Sequence, residues 1–573
     1  MPLNNNADHG KSSRANVQLF WWAAAILAAG VCITAAKAPL IGVQYDTAYY
    51  LLKAKALIEA SVLSDYVESA ERVSREVLDR TWDRELSYFP QAYWYFLRLG
   101  HLITLGGVIA LGEGGEQRLL YAHWGYGLLL ALSLVLSMIL TLRLSKLFSV
   151  QSARLATGAG LSALLFMASG QYWHMTGNLV TEVPALFFAG LSLTLLVESQ
   201  IRKSFALAAL AGLAAFLAYA TRTDFLWIPL SFAIVLAAVG KRMSMRGPWY
   251  LGLAVAGFSA LLAYGSYALT FGPLADPRVF FRLWEILRDS FSNQLGEFRF
   301  RLPRMLVISG GLLWIGAVIA LPTVRRQPFV LFALSWLMLL ALPWILQGVS
   351  GGWGEARMLS GLLPGLFLLS SAGWSEFPGN LRTRGSRILG IAAVGSIIIF
   401  VAAVTHQTTY DALRVLPGGW RLQYARAFLR PDTYEQREYP VDDLVAIGKT
   451  LYGDDDPKVV FVGHGANREL EFLNLIRFMG PRFAPDRSLF ALEPQKAWRK
   501  GIEPGVGEER VVFRNYLTEQ DGWSRDQRGY RLFILSVPGD HEGAGYGDWS
   551  FDVRPLVAGK KYNLEEVVDA RRN

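Results

Sequence analysis

Apolar positions along the chain gather into long blocks instead of recurring in short amphipathic stretches. The blocks fall near residues 17–36, 91–111, 119–141, 154–171, 179–198, 205–220, 224–240, 249–270, 305–321, 328–347, 359–373 and 387–404. Most approach the roughly 20 residues a helix needs to cross a hydrocarbon layer. Because lipid offers no partner to a backbone N–H or C=O, blocks of this kind predict helices. The fold class is therefore mainly α, a polytopic transmembrane helical bundle of about 11 to 13 spans over residues 1–404. From about residue 405 to 573 the chain turns polar, rich in Arg, Asp, Glu and Gly. That stretch predicts a soluble α/β domain, with KVVFVGH and YRLFILSVPG as buried strands and RELEFLNLIRFM as an amphipathic helix between them. No period of 20 to 50 residues recurs, so repeat architectures are excluded.

Two polar stretches inside the apolar region are too long for simple connections, residues 37–90 and 271–304. Charge interrupts their apolar faces every few residues, as in RVFFRLWEILRDSF, which predicts helices lying along the membrane surface. Long loops of this kind tend to carry function.

Composition agrees. The 573 residues are 52% hydrophobic and 18% charged, with a mean hydropathy of +0.28, where a soluble protein carries about 25% charged residues. A wholly soluble enzyme, a disordered scaffold and a collagenous chain are excluded. The single cysteine, Cys32, rules out a disulfide framework and a thiolate metal centre. The net charge of +9 follows from basic loops that set topology, and no nucleic-acid motif accompanies it. The long apolar run after a weakly basic start reads as an uncleaved first helix, not a removable signal.

Basic residues set the orientation. The loops with Arg143, Lys146 and Arg154; Arg202 and Lys203; Lys241, Arg242 and Arg246; Arg325 and Arg326; and Arg382, Arg384 and Arg387 come at every second connection, so all face the cytoplasm together. The intervening loops and the C-terminal domain then face outward. A simple count breaks this alternation between residues 91 and 141, which predicts a broken or re-entrant element at YFPQAYWYFLRLGHLITLGG, where Arg98 and His101 sit.

Candidate chemistry concentrates on the outer side. In GVQYDTAYYLLKAKAL a helix would place Asp46, Tyr49, Tyr50 and Lys53 at i, i+3, i+4 and i+7, on one face; the competing reading is an Asp N-cap with interfacial tyrosines. Glu182 opens one apolar block, Arg222 and Asp224 flank another, and Glu355 and Arg357 precede a third. Each has a plainer reading: a helix N-terminal charge, a local ion pair, or side chains reaching to the interface. His174, between aromatic neighbours, reads as part of an interfacial cluster. The seven histidines form no paired-ligand motif, so no metal cofactor is indicated.

The order of these landmarks resembles the glycosyltransferase C superfamily, which includes protein O-mannosyltransferases and the aminoarabinose transferase of lipid A. The resemblance rests on an aspartate in the first outer loop followed by a tyrosine pair, then YFPQAYWYF, Thr181-Glu182-Val183-Pro184, ATRTDFLWIP and EARMLSGLLPG, across roughly residues 17–404. Two positions depart from it. Asp46 is followed by Thr47 where a Glu is frequent, and Phe89-Pro90-Gln91 stands where a double proline is frequent; Glu59, Asp83 and Glu85 are the candidates for the missing second carboxylate. The resemblance implies an enzyme that moves a hexosyl or pentosyl group from a polyprenyl-phosphate donor to an extracytoplasmic glycan, lipid or protein, with inversion. Chemistry points the same way: nucleotide sugars are absent outside the cytoplasm, so the sugar must arrive on a lipid. Asp46 would take or orient the acceptor proton. Arg222, Arg357 or Lys53 would stabilise the departing phosphate, with Tyr49, Tyr50, Glu182, Asp224 and Glu355 lining the site. The alternatives are a transporter or lipid flippase, and a noncatalytic scaffold of the same fold. One-sided loops and an appended domain favour the enzyme over the transporter.

Overall fold

The computed structural model describes residues 5–42, 45–62, 64–66, 98–148, 152–239, 310–351, 360–380, 438–452, 458–462, 470–480, 489–492, 522–524, 531–537 and 549–572, with isolated positions between them. The expected surface helix at 271–304 lies outside the described residues. The protein is mostly helical, and its contacts resolve into two compact units, Met1–Ala36 with Tyr88–His101 and Trp124–Gln436, and Lys37–Ser87 with Leu102–His123 and Arg437–Asn573.

The first unit is helical throughout its described parts. Helix α1 covers Asn5–Lys37; strand β1, Leu40–Gly42, and helix α2, Tyr45–Glu59, follow it but belong to the second unit. Then come α3 (Leu99–Ile109) and α4 (Gly115–Leu147), whose residues 102–109 and 115–123 also belong to the second unit, and α5 (Ser152–Met167), α6 (Gly170–Gly177), α7 (Glu182–Arg202), α8 (Phe205–Thr221), a 3-10 turn at Thr223–Leu226, α9 (Trp227–Val239), α10 (Leu313–Ala320), α11 (Pro328–Gly351) and α12 (Leu363–Asn380). Among the described residues three helices are long and apolar enough to cross a membrane, Ala15–Lys37, Gly115–Leu147 and Glu182–Arg202. At 1.5 Å per residue the 21 residues of α7 extend about 31 Å, the thickness of a hydrocarbon core.

Lipid tails are as apolar as leucine, so the helices associate through close packing and not through burial. The buried face of α8 is Ala208, Ala211, Ala215 and Ala218, which brings it against α7 closely enough for Ser192 to donate to the Ala211 carbonyl at 2.9 Å. Helices α10 and α12 cross with no room for side chains: a Cβ on Gly373 would lie 1.9 Å from the Gly316 carbonyl oxygen. Ser162 of α5 meets Ser370 of α12 hydroxyl to hydroxyl at 2.9 Å. Between α9 and α11 the contact is aromatic, with Phe232 edge-on to Trp336 and the Trp336 indole donating to Ser231 at 3.1 Å.

Two basic regions meet physically. Glu198, near the end of α7, pairs with Arg202 and also with Arg143 near the end of α4, at 3.2 Å. Helices α4 and α7 therefore run parallel and finish at one level, so the loops that follow them lie on one side. The turn from α7 to α8 is made by Lys203 in the left-handed conformation (φ 53°) and Ser204, whose hydroxyl accepts from the Leu207 N–H. That turn returns the chain to the level at which α7 began.

In the second unit β2 (Glu438–Pro440), α13 (Val441–Tyr452), β3 (Lys458–Val462), α14 (Leu470–Met479), β4 (Leu489–Leu492), β5 (Gly522–Ser524), β6 (Arg531–Ser536), β7 (Trp549–Ala558) and β8 (Asn563–Arg572) follow in order. Strands β3, β4 and β6 are mutually parallel in the order β4-β3-β6, and β3-α14-β4 is a crossover unit. Strand β8 lies antiparallel to β6 and then β5 along one edge and to β7 along the other. Leu532–Leu535 are buried without alternation, as a strand enclosed between parallel and antiparallel neighbours requires.

Asp443 fixes the β7–β8 turn to α13. Its carboxylate accepts from the backbone N–H groups of Lys560, Lys561 and Tyr562 at 2.9, 2.8 and 3.1 Å, and it is 2% exposed. Asp443→Ala would remove the acceptor of one buried donor, the Tyr562 N–H, and of two part-buried ones, so it should lower the stability of this unit by about 2 kcal/mol; chemical denaturation followed by tryptophan fluorescence measures the loss.

Candidate functional site

Among the described residues of the first unit, the buried carboxylate and guanidinium lie together where α7 begins and α8 ends. Glu182 opens α7 with no exposed surface, and Arg222, 6% exposed, caps the end of α8. The Arg222 guanidinium is paired with the Glu182 carboxylate and lies 5.8 Å from the Phe225 ring centroid. Thr181 donates to the second Glu182 oxygen at 3.2 Å and receives a long contact from Arg98 at 3.5 Å. The backbone of α3 presses on the end of α8, since a Cβ on Gly100 would meet Thr221 at 2.7 Å. One turn further, His101 Nδ1 meets the Tyr126 hydroxyl of α4 at 2.8 Å, and both residues are fully buried. Arg98 and Glu182 act electrostatically on His101. Beside them Asn178 of the α6–α7 connection binds the His174 ring at 3.2 Å and its carbonyl at 2.7 Å.

The local sequence explains why the chain converges there. Arg98 adopts the left-handed conformation (φ 61°), which α-helix cannot pass through, so α3 starts afresh at Leu99. Helix α8 stops at Thr221 because Arg222 is extended, at φ −155° and ψ 115°. Ionisable groups enclosed in this way are costly unless paired, and in membrane proteins they mark functional sites by default.

The second unit holds the other half of the sequence-derived candidates. Tyr49, Tyr50 and Lys53 are all buried on α2. The two rings meet edge to face at 5.4 Å, and the Lys53 ammonium sits 4.3 Å over the Tyr49 ring. Asp46 lies in the first turn of α2, not before it. Burial pulls the Lys53 ammonium well below the ordinary lysine value. Lys55 falls to about 8 through burial, with Glu59 opposing and Arg118 adding to the fall. For Lys55 the unfolded chain binds more protons than the folded one between about 8 and 10.5, and the lowered Lys53 acts in the same direction. Stability should therefore rise as pH climbs through that window, which thermal denaturation in detergent at pH 7.5 and 9.5 reads directly.

The structure thus brings Glu182 to Arg222, and Tyr49, Tyr50 and Lys53 to one another. Asp224 lies in the 3-10 turn after Arg222. Glu355 and Arg357, with the further candidates Asp83 and Glu85, lie outside the described residues; Glu59 is paired with Arg118 at 2.8 Å. Sequence reading did not single out Tyr126, Lys55 or the Arg98–Thr181 contact as parts of a site. For Arg98 and His101 the signal was present, as charge inside an apolar block. For Tyr126 there was none.

The fold is shared along the chain with two solved structures. They are ArnT from Cupriavidus metallidurans bound to undecaprenyl phosphate, with TM-score 0.54, 12% identity, 95% of this chain and 98% of that chain covered, and the same protein in the apo state, with TM-score 0.52, 11% identity, and 96% and 98% covered. No protein-family profile matches the chain, and no curated sequence does.

Proposed function

We propose that the protein is an integral-membrane glycosyltransferase that moves a sugar from a polyprenyl-phosphate carrier to an extracytoplasmic glycan, lipid or protein, with inversion. The observation that carries this reading is a fold shared, over 95% of the chain, with a transferase crystallised on undecaprenyl phosphate. The buried Glu182–Arg222 pair at the start of α7 supports it, because ionisable groups enclosed among apolar helices mark substrate sites by default. The meeting of Arg143 and Arg202 through Glu198 supports an orientation in which the basic loops are cytoplasmic and the Glu182–Arg222 level is external. In this reading about 11 to 13 spans hold the donor tail, and the C-terminal α/β elements lie outside.

Asp46 takes or orients the acceptor hydroxyl proton as the acceptor oxygen attacks the anomeric carbon and the carbon–phosphate-oxygen bond breaks. Arg222 and Arg357, forked guanidinium groups, and Lys53 receive the charge that grows on the leaving phosphate. The test is twofold. Mass spectrometry of envelope glycans and lipids from cells lacking the protein should show one sugar missing at one attachment point. Purified protein should then release polyprenyl phosphate from the corresponding lipid-linked sugar. An unchanged envelope together with no release would end the proposal.

A further inference from the structure

The second unit contains a junction that the transfer chemistry does not use. The Lys55 ammonium, with no exposed surface, donates to the carbonyls of Phe478 at 3.0 Å and Gly480 at 2.6 Å. These belong to the C-terminal end of α14, where carbonyls lack helical partners and the macrodipole favours a cation. The same end is pressed by the start of α4, since a Cβ on Gly115 would stand 2.5 Å from Met479 Cα. Arg118 of α4 pairs with Glu59 at the end of α2 and donates to the Gly112 carbonyl. At its other end α2 is preceded by β1, which pairs antiparallel with β2 as Leu40↔Pro440, Ile41↔Tyr439 and Gly42↔Glu438. The helix carrying Asp46, Tyr49, Tyr50 and Lys53 is thus fastened, through β1 at one end and Lys55 near the other, to elements far later in the chain, at residues 438–440 and 478–480.

We propose that Lys55 is a positioning residue for sugar transfer, which fixes the angle of α2 by holding it to the end of α14. Lys53 and Lys55, two positions apart, point to different sides of the helix: one toward the Tyr49 ring, the other into α14. The C-terminal elements therefore act on the reaction through α2. This rests on the function proposed above, and the experiment separates the two.

The experiment uses full-length protein in detergent. By hydrogen exchange, amides of Tyr45–Glu59 and Leu470–Met479 should open as one unit; α2 opening independently of α14 overturns the proposal. Lys55→Met should lower kcat roughly tenfold to a hundredfold, with the donor KM changed less than about threefold and protection in β3 and β6 retained. Lys55→Arg should recover part of kcat. Gly115→Ala, which displaces Met479 without touching Lys55, should give the same split. Unchanged kcat in folded Lys55→Met, or a loss that follows unprotected β3 and β6, overturns it. If the wild type transfers no sugar from any lipid donor, the proposed function fails, while the exchange result still decides whether α2 and α14 are one body.

Discussion

Asp46→Asn should reduce sugar transfer by about a thousandfold while the protein still inserts and folds. Asparagine keeps the size of the side chain and an oxygen that can cap or orient, and removes the negative charge and with it the capacity to accept a proton. Asp46 sits in the first turn of α2, where a carboxylate is favoured by the helix dipole by less than about 1 kcal/mol, so little stability is at stake. The measurement is single-turnover release of polyprenyl phosphate by matched amounts of folded protein. A noncatalytic scaffold would show no transfer in either form, and an Asp46→Asn protein as active as the wild type would remove Asp46 from the reaction.

The second large effect is expected at the Glu182–Arg222 pair. Arg222→Ala leaves a carboxylate with no exposed surface without its guanidinium, which costs about 3 to 5 kcal/mol for a buried pair. Glu182→Leu combined with Arg222→Met removes both charges and should return most of that stability, because apolar replacements of buried pairs are often neutral. The two roles then separate. If the pair serves only packing, the double variant regains transfer along with stability; if Arg222 receives the leaving phosphate, stability returns and transfer does not. Thermal unfolding and donor turnover on the same preparations give the answer.

Much of this architecture could be read from the chain. Long apolar blocks predict helices because lipid permits little else; α4 spans the expected block at 119–141 and extends beyond it at both ends, and α7 overlaps that at 179–198. KVVFV and RLFILS form β3 and β6, and LEFLNLIRFM forms α14, since short continuous apolar runs bounded by polar residues and a clear 3.6-residue period are strong local signals. The face holding Tyr49, Tyr50 and Lys53 follows from helical spacing alone. Pairings across distance were not legible. Nothing local distinguishes Lys55 from Lys53, because the partners of Lys55 are backbone carbonyls 423 and 425 positions away. Glu182 and Arg222 were each visible as charges at helix ends, but their meeting depends on the alanine face of α8, which lets two helices approach closely enough to align those ends.

The fastening of β1 and α2 to later elements also sets an order of events during biosynthesis. Lys55 leaves the ribosome 423 residues before Phe478, a delay of about 20 to 80 s at ordinary translation speeds. Throughout that interval β1 and α2 are without their partners. A chain truncated before residue 438 would leave them permanently undocked, so quality control by proteases that cut open loops should fall first on residues 40–59 of such fragments.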